Sequence, residues 1–214
     1  MHLLIFGFLF VVAIIAWAGY YLPKKRREAF IKAVESLGLE PSFDLSQQDW
    51  ERLLQFEFCR KHNKSRKVKY AVVAETDSTR VIVCEYSYII DNGENSSYKT
   101  STVLLVFDNR LQIPQFSLAR KTWTSSLAKL AGYRFMEFPE DQAFNSFYLV
   151  RGESEESLRE YLNQQRREAL FNASLVAFEG RNDGFIVLYP DRWLQPSEIK
   201  ARLGESLTVL KAVL

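Results

Sequence analysis

Few residues in this 214-residue chain are suited to nucleophilic or metal chemistry. It has two histidines and two cysteines, and Cys59 and His62 have the C-x-x-H spacing of half a zinc site. No second pair completes four ligands, because Cys84 is the other cysteine and His2 lies at the start of the sequence. Glycine-rich phosphate loops and nucleophile elbows are missing from the sequence as well. The sequence therefore predicts no metal site, no catalytic residue and no cofactor.

Carboxylates are the remaining candidates for catalysis. Glu137, Glu140 and Asp141 lie close together, and Arg151 follows ten residues after Asp141. One interpretation is an enzyme of unrecognised type that uses carboxylates, with Asp141 acting beside Arg151. The other is a solvated acidic surface at the start of a helix. We expect a non-enzymatic protein and keep the enzyme as the alternative.

Two runs of basic residues are candidates for contact with anions. The first contains Lys24, Lys25, Arg26 and Arg27, and the second contains Arg60, Lys61, Lys64, Arg66, Lys67 and Lys69. The first run predicts a topology determinant that also contacts lipid headgroups, with about 1 kcal/mol per cation at an anionic surface. The second predicts either an anion-binding patch or an ordinary solvated connector.

The charge balance bears on which anion these runs would bind. Of the 28 basic residues, 24 remain when the first run is set aside, against 26 acidic residues. A slightly acidic body argues against a nucleic-acid partner. If the second run binds an anion, lipid headgroups are therefore favoured over RNA.

Residues 3–22 form an uncharged and mainly apolar segment. As a helix it is about 30 Å long, which matches the hydrocarbon thickness of a bilayer. Trp17, Tyr20 and Tyr21 stand at its far end, where aromatic rings favour the headgroup level. Because the positive charges follow the segment, the positive-inside rule places the N-terminus outside and the rest in the cytoplasm. A cleaved signal peptide is the alternative, although its charge should precede a shorter apolar core.

The predicted organisation has three parts: a transmembrane anchor (1–23), a juxtamembrane stalk helix with its linker (24–46), and one cytoplasmic domain (47–214). Apolar residues recur at helical spacing between Ala29 and Leu37, so the stalk helix has one apolar face. This face either docks on the domain or pairs with a second copy, so a homo-oligomer stays open.

The pattern of residue types in the remaining chain indicates an α+β fold. Strand-like runs rich in Val, Ile, Tyr and Thr occupy 68–75, 80–90, 98–107 and 111–118. Turn residues separate them at short intervals, which predicts an antiparallel meander, and Pro114 makes the last run an edge strand or a bulged one. Helices are predicted over 47–58, 123–131, 154–167 and from Pro196 to the last residue, with a hairpin around 181–184. We expect one domain with a mainly antiparallel sheet and packed helices, including a C-terminal helix, after an N-terminal transmembrane helix.

The chain from Tyr86 onward follows an ordered series of features. After a Tyr-rich strand come a P-x-F strand and a phrase of the type F-P-x-x-x-x-F-x-x-x-Y-L-V-R-G. Their residues here are Pro114, Phe116, Phe138, Pro139, Phe144, Tyr148, Leu149, Val150, Arg151 and Gly152. This order resembles an uncharacterised family of membrane-anchored bacterial proteins with no known activity. The resemblance implies a bacterial source and one α+β module, and for these residues we expect structural roles.

The sequence as a whole predicts a single-span, membrane-anchored cytoplasmic module. Its expected partners are the membrane, through the N-terminal helix, and another protein or a membrane component. A domain that senses anionic lipid and an enzyme that uses carboxylates are the alternatives.

Overall fold

The computed structural model describes residues 2–61, 65–91, 96–121 and 135–214, without the side chains of 2–16, 18, 61 and 91. The α-helices within these ranges are α1 (His2–Glu35), α2 (Gln47–Leu53), α3 (Glu57–Lys61), α4 (Gln142–Phe147), α5 (Glu155–Tyr161), α6 (Gln164–Asn172) and α7 (Ile199–Val213). The strands are β1 (Pro41–Ser42), β2 (Lys67–Glu75), β3 (Thr79–Asp91), β4 (Ser96–Asp108), β5 (Ile113–Arg120), β6 (Tyr148–Gly152), β7 (Ala177–Asn182) and β8 (Gly184–Tyr189). A short 3-10 turn, Pro196–Glu198, leads into α7. The helix predicted over 123–131 lies outside the described residues.

The strands form a single sheet in the order β1-β2-β3-β4-β8-β7-β5-β6. Every neighbouring pair is antiparallel, and the β3–β4 hairpin keeps its register from Thr79 opposite Asp108 to Asp91 opposite Ser96. The predicted α+β class, the antiparallel sheet and the C-terminal helix are confirmed.

The alternation of side chains on the central strands divides the core into two layers. One face of the sheet carries Val81, Val83, Leu104 and Val106 and packs against α1 and α4 to α7. The opposite face carries Ile82, Cys84, Val103 and Leu105 and packs against α2 and α3. Both cysteines are buried and free.

Helix α1 runs from the N-terminal segment into the domain and continues through Pro23. Its side chains Phe30 and Val34 are fully buried in the main core. The segment predicted as stalk and linker therefore docks on the body, and it also supplies β1 to the sheet. No helix within the described residues is both long enough and apolar enough to cross a membrane.

Two helices predicted as continuous are each interrupted, so those predictions are wrong in extent. The predicted helix 154–167 divides because Asn163 starts α6, its side chain accepting the backbone N–H of Arg166 at 3.0 Å. The predicted helix 47–58 divides into α2 and α3, and the Glu179 carboxylate accepts backbone N–H groups at the start of α3. At Pro114 the sheet shows the bulged alternative, since the register of β5 on β7 shifts between Ile113 and Phe116.

Candidate anion-binding groove

A groove at the β1–β2 edge of the sheet brings the two basic runs together. It encloses about 480 Å³ and is lined by Arg27, Phe43, Asp44, Trp50, Arg66, Lys67, Val68, Lys69 and Tyr70. Four of these side chains are cationic and one is a carboxylate, so the groove is electropositive. Its aromatic side chains form walls around the charges.

Packing of α1 against the edge of the sheet positions the first basic run. The Phe30 ring lies 4.8 Å from the Tyr70 ring and 6.1 Å from the Phe43 ring, between centroids. This cluster fixes the rotation of α1, and Arg27 is held with its guanidinium carbon 3.9 Å from the centroid of Phe43. The aromatic contact therefore brings a cation of the first basic run into the groove.

A β-bulge in β2 positions the second basic run. Val68 lies opposite Tyr86 and Ala71 lies opposite Cys84, so three steps on β2 face two steps on β3. The extra residue lets Val68 pack on the α2–α3 face while Tyr70 packs on the α1 face. Without it, residues 68 and 70 would share one face.

The lysines on either side of Val68 stay at the surface. Lys67 and Lys69 are both exposed, and the Lys69 ammonium lies 5.0 Å from the centre of the Tyr98 ring. β1 pairs only with Ala71 and Val72, so in the described chain the part of β2 that carries the lysines has no strand on its outer side. An anion can approach this edge from solvent.

Arg66 is half-buried, whereas the other cations that line the groove are exposed. Its Nε atom is buried and has no hydrogen-bond partner among the residues that the structure describes. Burial raises the pKa of the Cys59 thiol and of the Tyr86 hydroxyl, and the Arg66 charge opposes both rises. An unpaired buried donor costs about 1 to 3 kcal/mol, so this atom calls for an acceptor.

Asp44, the one carboxylate among the lining residues, is engaged by neighbours. Its Oδ1 atom accepts the indole N–H of Trp50 at 3.0 Å and the backbone N–H of Leu45 at 2.8 Å. It therefore orients the Trp50 wall of the groove.

The other predicted cations lie outside the groove. Lys24 and Lys25 are exposed on α1, and Arg60 is exposed on α3. Arg26 forms an ion pair with Glu85 inside the domain. The Lys61 side chain and Lys64 lie outside the described part of the chain.

The residues of the predicted phrase form a packed cluster away from the groove. Its buried aromatic members are Phe116, Phe138, Phe144 and Tyr148. Arg151 donates to the Glu57 carboxylate at 3.0 Å. Gly152 lies opposite Phe116, and a Cβ there would collide with Leu158 and reach 3.0 Å from the Gln115 carbonyl oxygen. The close approach of β6 to its neighbours explains this glycine.

The structure gives Asp141 and Arg151 separate partners. Asp141 caps α4 and accepts the Nε–H of the buried Arg167 at 2.9 Å, whereas Arg151 binds Glu57. The pair on which the enzyme alternative depends is therefore not brought together. Within the described ranges no three His, Cys, Asp or Glu side chains are grouped to hold a metal ion.

Sequence reasoning missed the aromatic walls Phe43, Trp50 and Tyr70. Trp50 lies in α2, Tyr70 in β2 and Phe43 in the bend after β1, so their meeting depends on how α1 and α2 dock on the sheet. The β-bulge between Val68 and Ala71 turns Tyr70 toward α1, and no residue in this stretch of the sequence indicates that a bulge should form there.

Comparison with known proteins finds similarity at the level of the fold. No family model and no curated protein matches the chain. The chain is similar to the crystal structure of the mycobacterial trehalose monomycolate transport factor A, TtfA, with a TM-score of 0.52 and 11% sequence identity. The match covers 89% of this chain and 95% of the chain in that crystal structure. The chain is therefore similar in fold to a protein of very different sequence.

Proposed function

We propose that this chain is a membrane-anchored, non-enzymatic module whose α+β domain binds the phosphate-bearing headgroup of an anionic lipid in the basic groove. The observation that carries the proposal is the meeting of Arg27 with Arg66, Lys67 and Lys69 in one aromatic-walled groove. These cations come from runs about 40 residues apart, and the fold assembles them.

The groove has the chemistry that phosphate recognition requires. The Arg66 guanidinium offers directed donors, and Lys67 and Lys69 add mobile point charges. The rings of Phe43 and Tyr70 limit water on one side, which strengthens the attraction between these charges and a bound anion.

The proposal includes the anchor at 3–22, with the N-terminus outside and the domain in the cytoplasm. Arg27 follows Tyr21 by six residues, which is about 9 Å along a helix. If the aromatic residues before it lie at the bilayer surface, the groove opens close to the headgroups. Tethering also raises the effective concentration of lipid at the groove.

Two further observations agree with a non-enzymatic role. The carboxylate–arginine pair of the enzyme alternative is separated into two ion pairs. TtfA, which has a similar fold, is described as a transport factor for trehalose monomycolate. A transport-associated role of this general kind suits a domain that binds a membrane component without transforming it.

The test is binding of soluble short-chain lipids to the full chain in neutral nanodiscs, measured by calorimetry. The probes are dihexanoyl phosphatidylserine, dihexanoyl phosphatidylcholine and glycerol phosphate. We expect the triple variant Arg66→Gln, Lys67→Gln and Lys69→Gln to lose about 3 kcal/mol of binding to the anionic lipid, which is about a hundredfold in affinity.

A matched variant removes the same charge elsewhere. Lys32→Gln, Lys200→Gln and Lys211→Gln neutralise three exposed lysines that do not line the groove, and we expect less than a twofold change. Equal losses in both triple variants would contradict the groove as the site. Equal binding of glycerol phosphate and the anionic lipid would show that the groove recognises a free phosphate and not a lipid.

A further inference from the structure

Trp193 lies in a loop outside the groove, and the proposed function does not use it. The four most exposed large apolar side chains of the described residues are Tyr20 (72%), Trp17 (61%), Leu22 (60%) and Trp193 (58%). Three lie on α1, and Trp193 lies in the loop between β8 and the 3-10 turn. We propose that Trp193 inserts into the headgroup layer of the bilayer that holds α1. This inference rests on the proposed function, because it needs the anchor.

The loop holds Trp193 in place by contacts on both sides. Leu194 is buried, and its carbonyl accepts an N–H of Arg26 at 2.9 Å. The carbonyl of Arg192 accepts the Thr102 hydroxyl at 3.1 Å. The loop is therefore fixed, yet the indole between these two contacts stays exposed. Such a side chain is preorganised for a partner outside the domain.

The position of Trp193 along α1 matches the headgroup layer. The Arg26 guanidinium carbon lies 5.0 Å from the Trp193 ring centre. Arg26 follows Tyr21 by five residues, about 7.5 Å along the axis, and helical side chains lean back toward the N-terminus. The headgroup layer is roughly 5 to 8 Å thick on each side of the hydrocarbon. With Tyr21 at the hydrocarbon boundary, the indole lies within that layer.

The chemistry around Trp193 fits a lipid surface better than water. An indole combines an apolar body with one N–H donor and favours the membrane interface. The cation in contact with the ring is Arg26, and the exposed Arg192 precedes Trp193 in the loop. Lys24 and Lys25 are exposed on the same part of α1, and such cations complement lipid phosphates. The nearby carboxylate of Asp191 is paired with Lys99 at 2.9 Å. The aromatic end of α1 and the loop therefore form one continuous interfacial surface.

The test uses the full chain in phosphatidylcholine nanodiscs that carry spin-labelled lipid. The Trp193 signal is the fluorescence of the natural chain minus that of Trp193→Phe. We expect a nitroxide on the headgroup to reduce this signal at least twofold, and a nitroxide deep in the acyl chain to reduce it less.

The control places an indole beside β6, the edge strand farthest from the β1 edge that α1 contacts. Phe171→Trp, in the Trp193→Phe background, adds a ring at a position that is 37% exposed and contacts Phe147, next to β6. β6 is seven strand spacings, about 34 Å, from the β1 edge and three spacings, about 14 Å, from β8, which leads into the Trp193 loop. This indole should be quenched at least twofold less than Trp193 by the headgroup label.

The outcomes separate this inference from the proposed function. If neither label quenches the Trp193 signal while Trp17 is quenched, the membrane contact of Trp193 is refuted and the proposed lipid-binding groove is unaffected. An indole covered by a partner protein would give the same result. Absence of quenching at both positions overturns the anchor and the contact together. Quenching of Trp193 with no binding of anionic lipid would support the contact and refute the groove.

Discussion

The ion pair between Arg26 and Glu85 ties α1 to the centre of the sheet, and its removal gives a sharp test of the packing described above. Glu85 has a side chain that is 2% exposed and shares its face of β3 with Val81 and Val83. Besides Arg26, it accepts the backbone N–H of Leu194 at 3.2 Å. The Arg26 side chain is 21% exposed.

The expected magnitude follows from this burial. Removing one partner of a fully buried pair costs about 3 to 5 kcal/mol, and the partial exposure of Arg26 lowers that cost. The guanidinium also lies 4.7 Å from the Tyr70 ring centre and 5.0 Å from that of Trp193, each contact adding about 0.5 to 1 kcal/mol. We expect Arg26→Met to lower the free energy of unfolding by roughly 3 kcal/mol.

The assay is urea unfolding of the full chain in detergent, followed by near-ultraviolet circular dichroism, in a double-mutant cycle with Glu85→Met. Since a well-packed apolar pair can replace a buried ion pair, the double variant should lose only about 1 kcal/mol of stability. The coupling energy is then at least about 2 kcal/mol, and larger by whatever Glu85→Met costs alone. Lys25→Met, next in the chain and exposed, should change stability by less than about 0.5 kcal/mol. We call the Arg26–Glu85 ion pair the clamp, because it ties α1 to β3. A coupling energy below about 0.5 kcal/mol would refute this role.

Two more predictions concern pH and topology. Hydrogen bonds from Arg110 and then Thr79 hold the pKa of Asp108 well below its usual range, against the effect of burial. The stabilising effect of ionised Asp108 is therefore complete above about pH 4 and is lost as pH falls. In urea unfolding at pH 7, Asp108→Asn should lower the free energy of unfolding by about 1 to 3 kcal/mol. This difference between the variant and the natural chain should narrow toward pH 3. A difference independent of pH would contradict this. For topology, both native thiols are buried, so the exposed site Lys211→Cys is the better target for an impermeant thiol reagent. Labelling only after lysis is expected, and labelling in intact cells would reverse the proposed orientation.

Much of the sheet could be predicted because its signals are local. The strands β2 to β5 follow runs of β-branched and aromatic residues, and turn residues separate them at short intervals. The pairing of β4 with β8 and of β5 with both β6 and β7 had no such signal, because these neighbours are far apart in the sequence. Asn163 is different: an Asn before a polar helical run is a capping signal, and the apolar periodicity across it concealed the break.

The groove shows the limit of reading charges in isolation. Both basic runs are visible in the sequence, but their meeting depends on the docking of Phe30 and on one extra residue in β2. One signal was available for the clamp. Glu85 continues the inward-facing alternation of Val81 and Val83, and a carboxylate in that position requires a cationic or hydrogen-bonding partner.

One turn of α1 connects the clamp, the groove and the Trp193 loop. Consecutive helical side chains point about 100° apart, so Arg26 reaches Glu85 and Trp193 while Arg27 lies in the groove at nearly the same height. A rotation of α1 would displace both contacts together. The ion pair therefore stabilises the domain and also fixes the direction in which the groove faces the proposed membrane, which a flexible linker could not do.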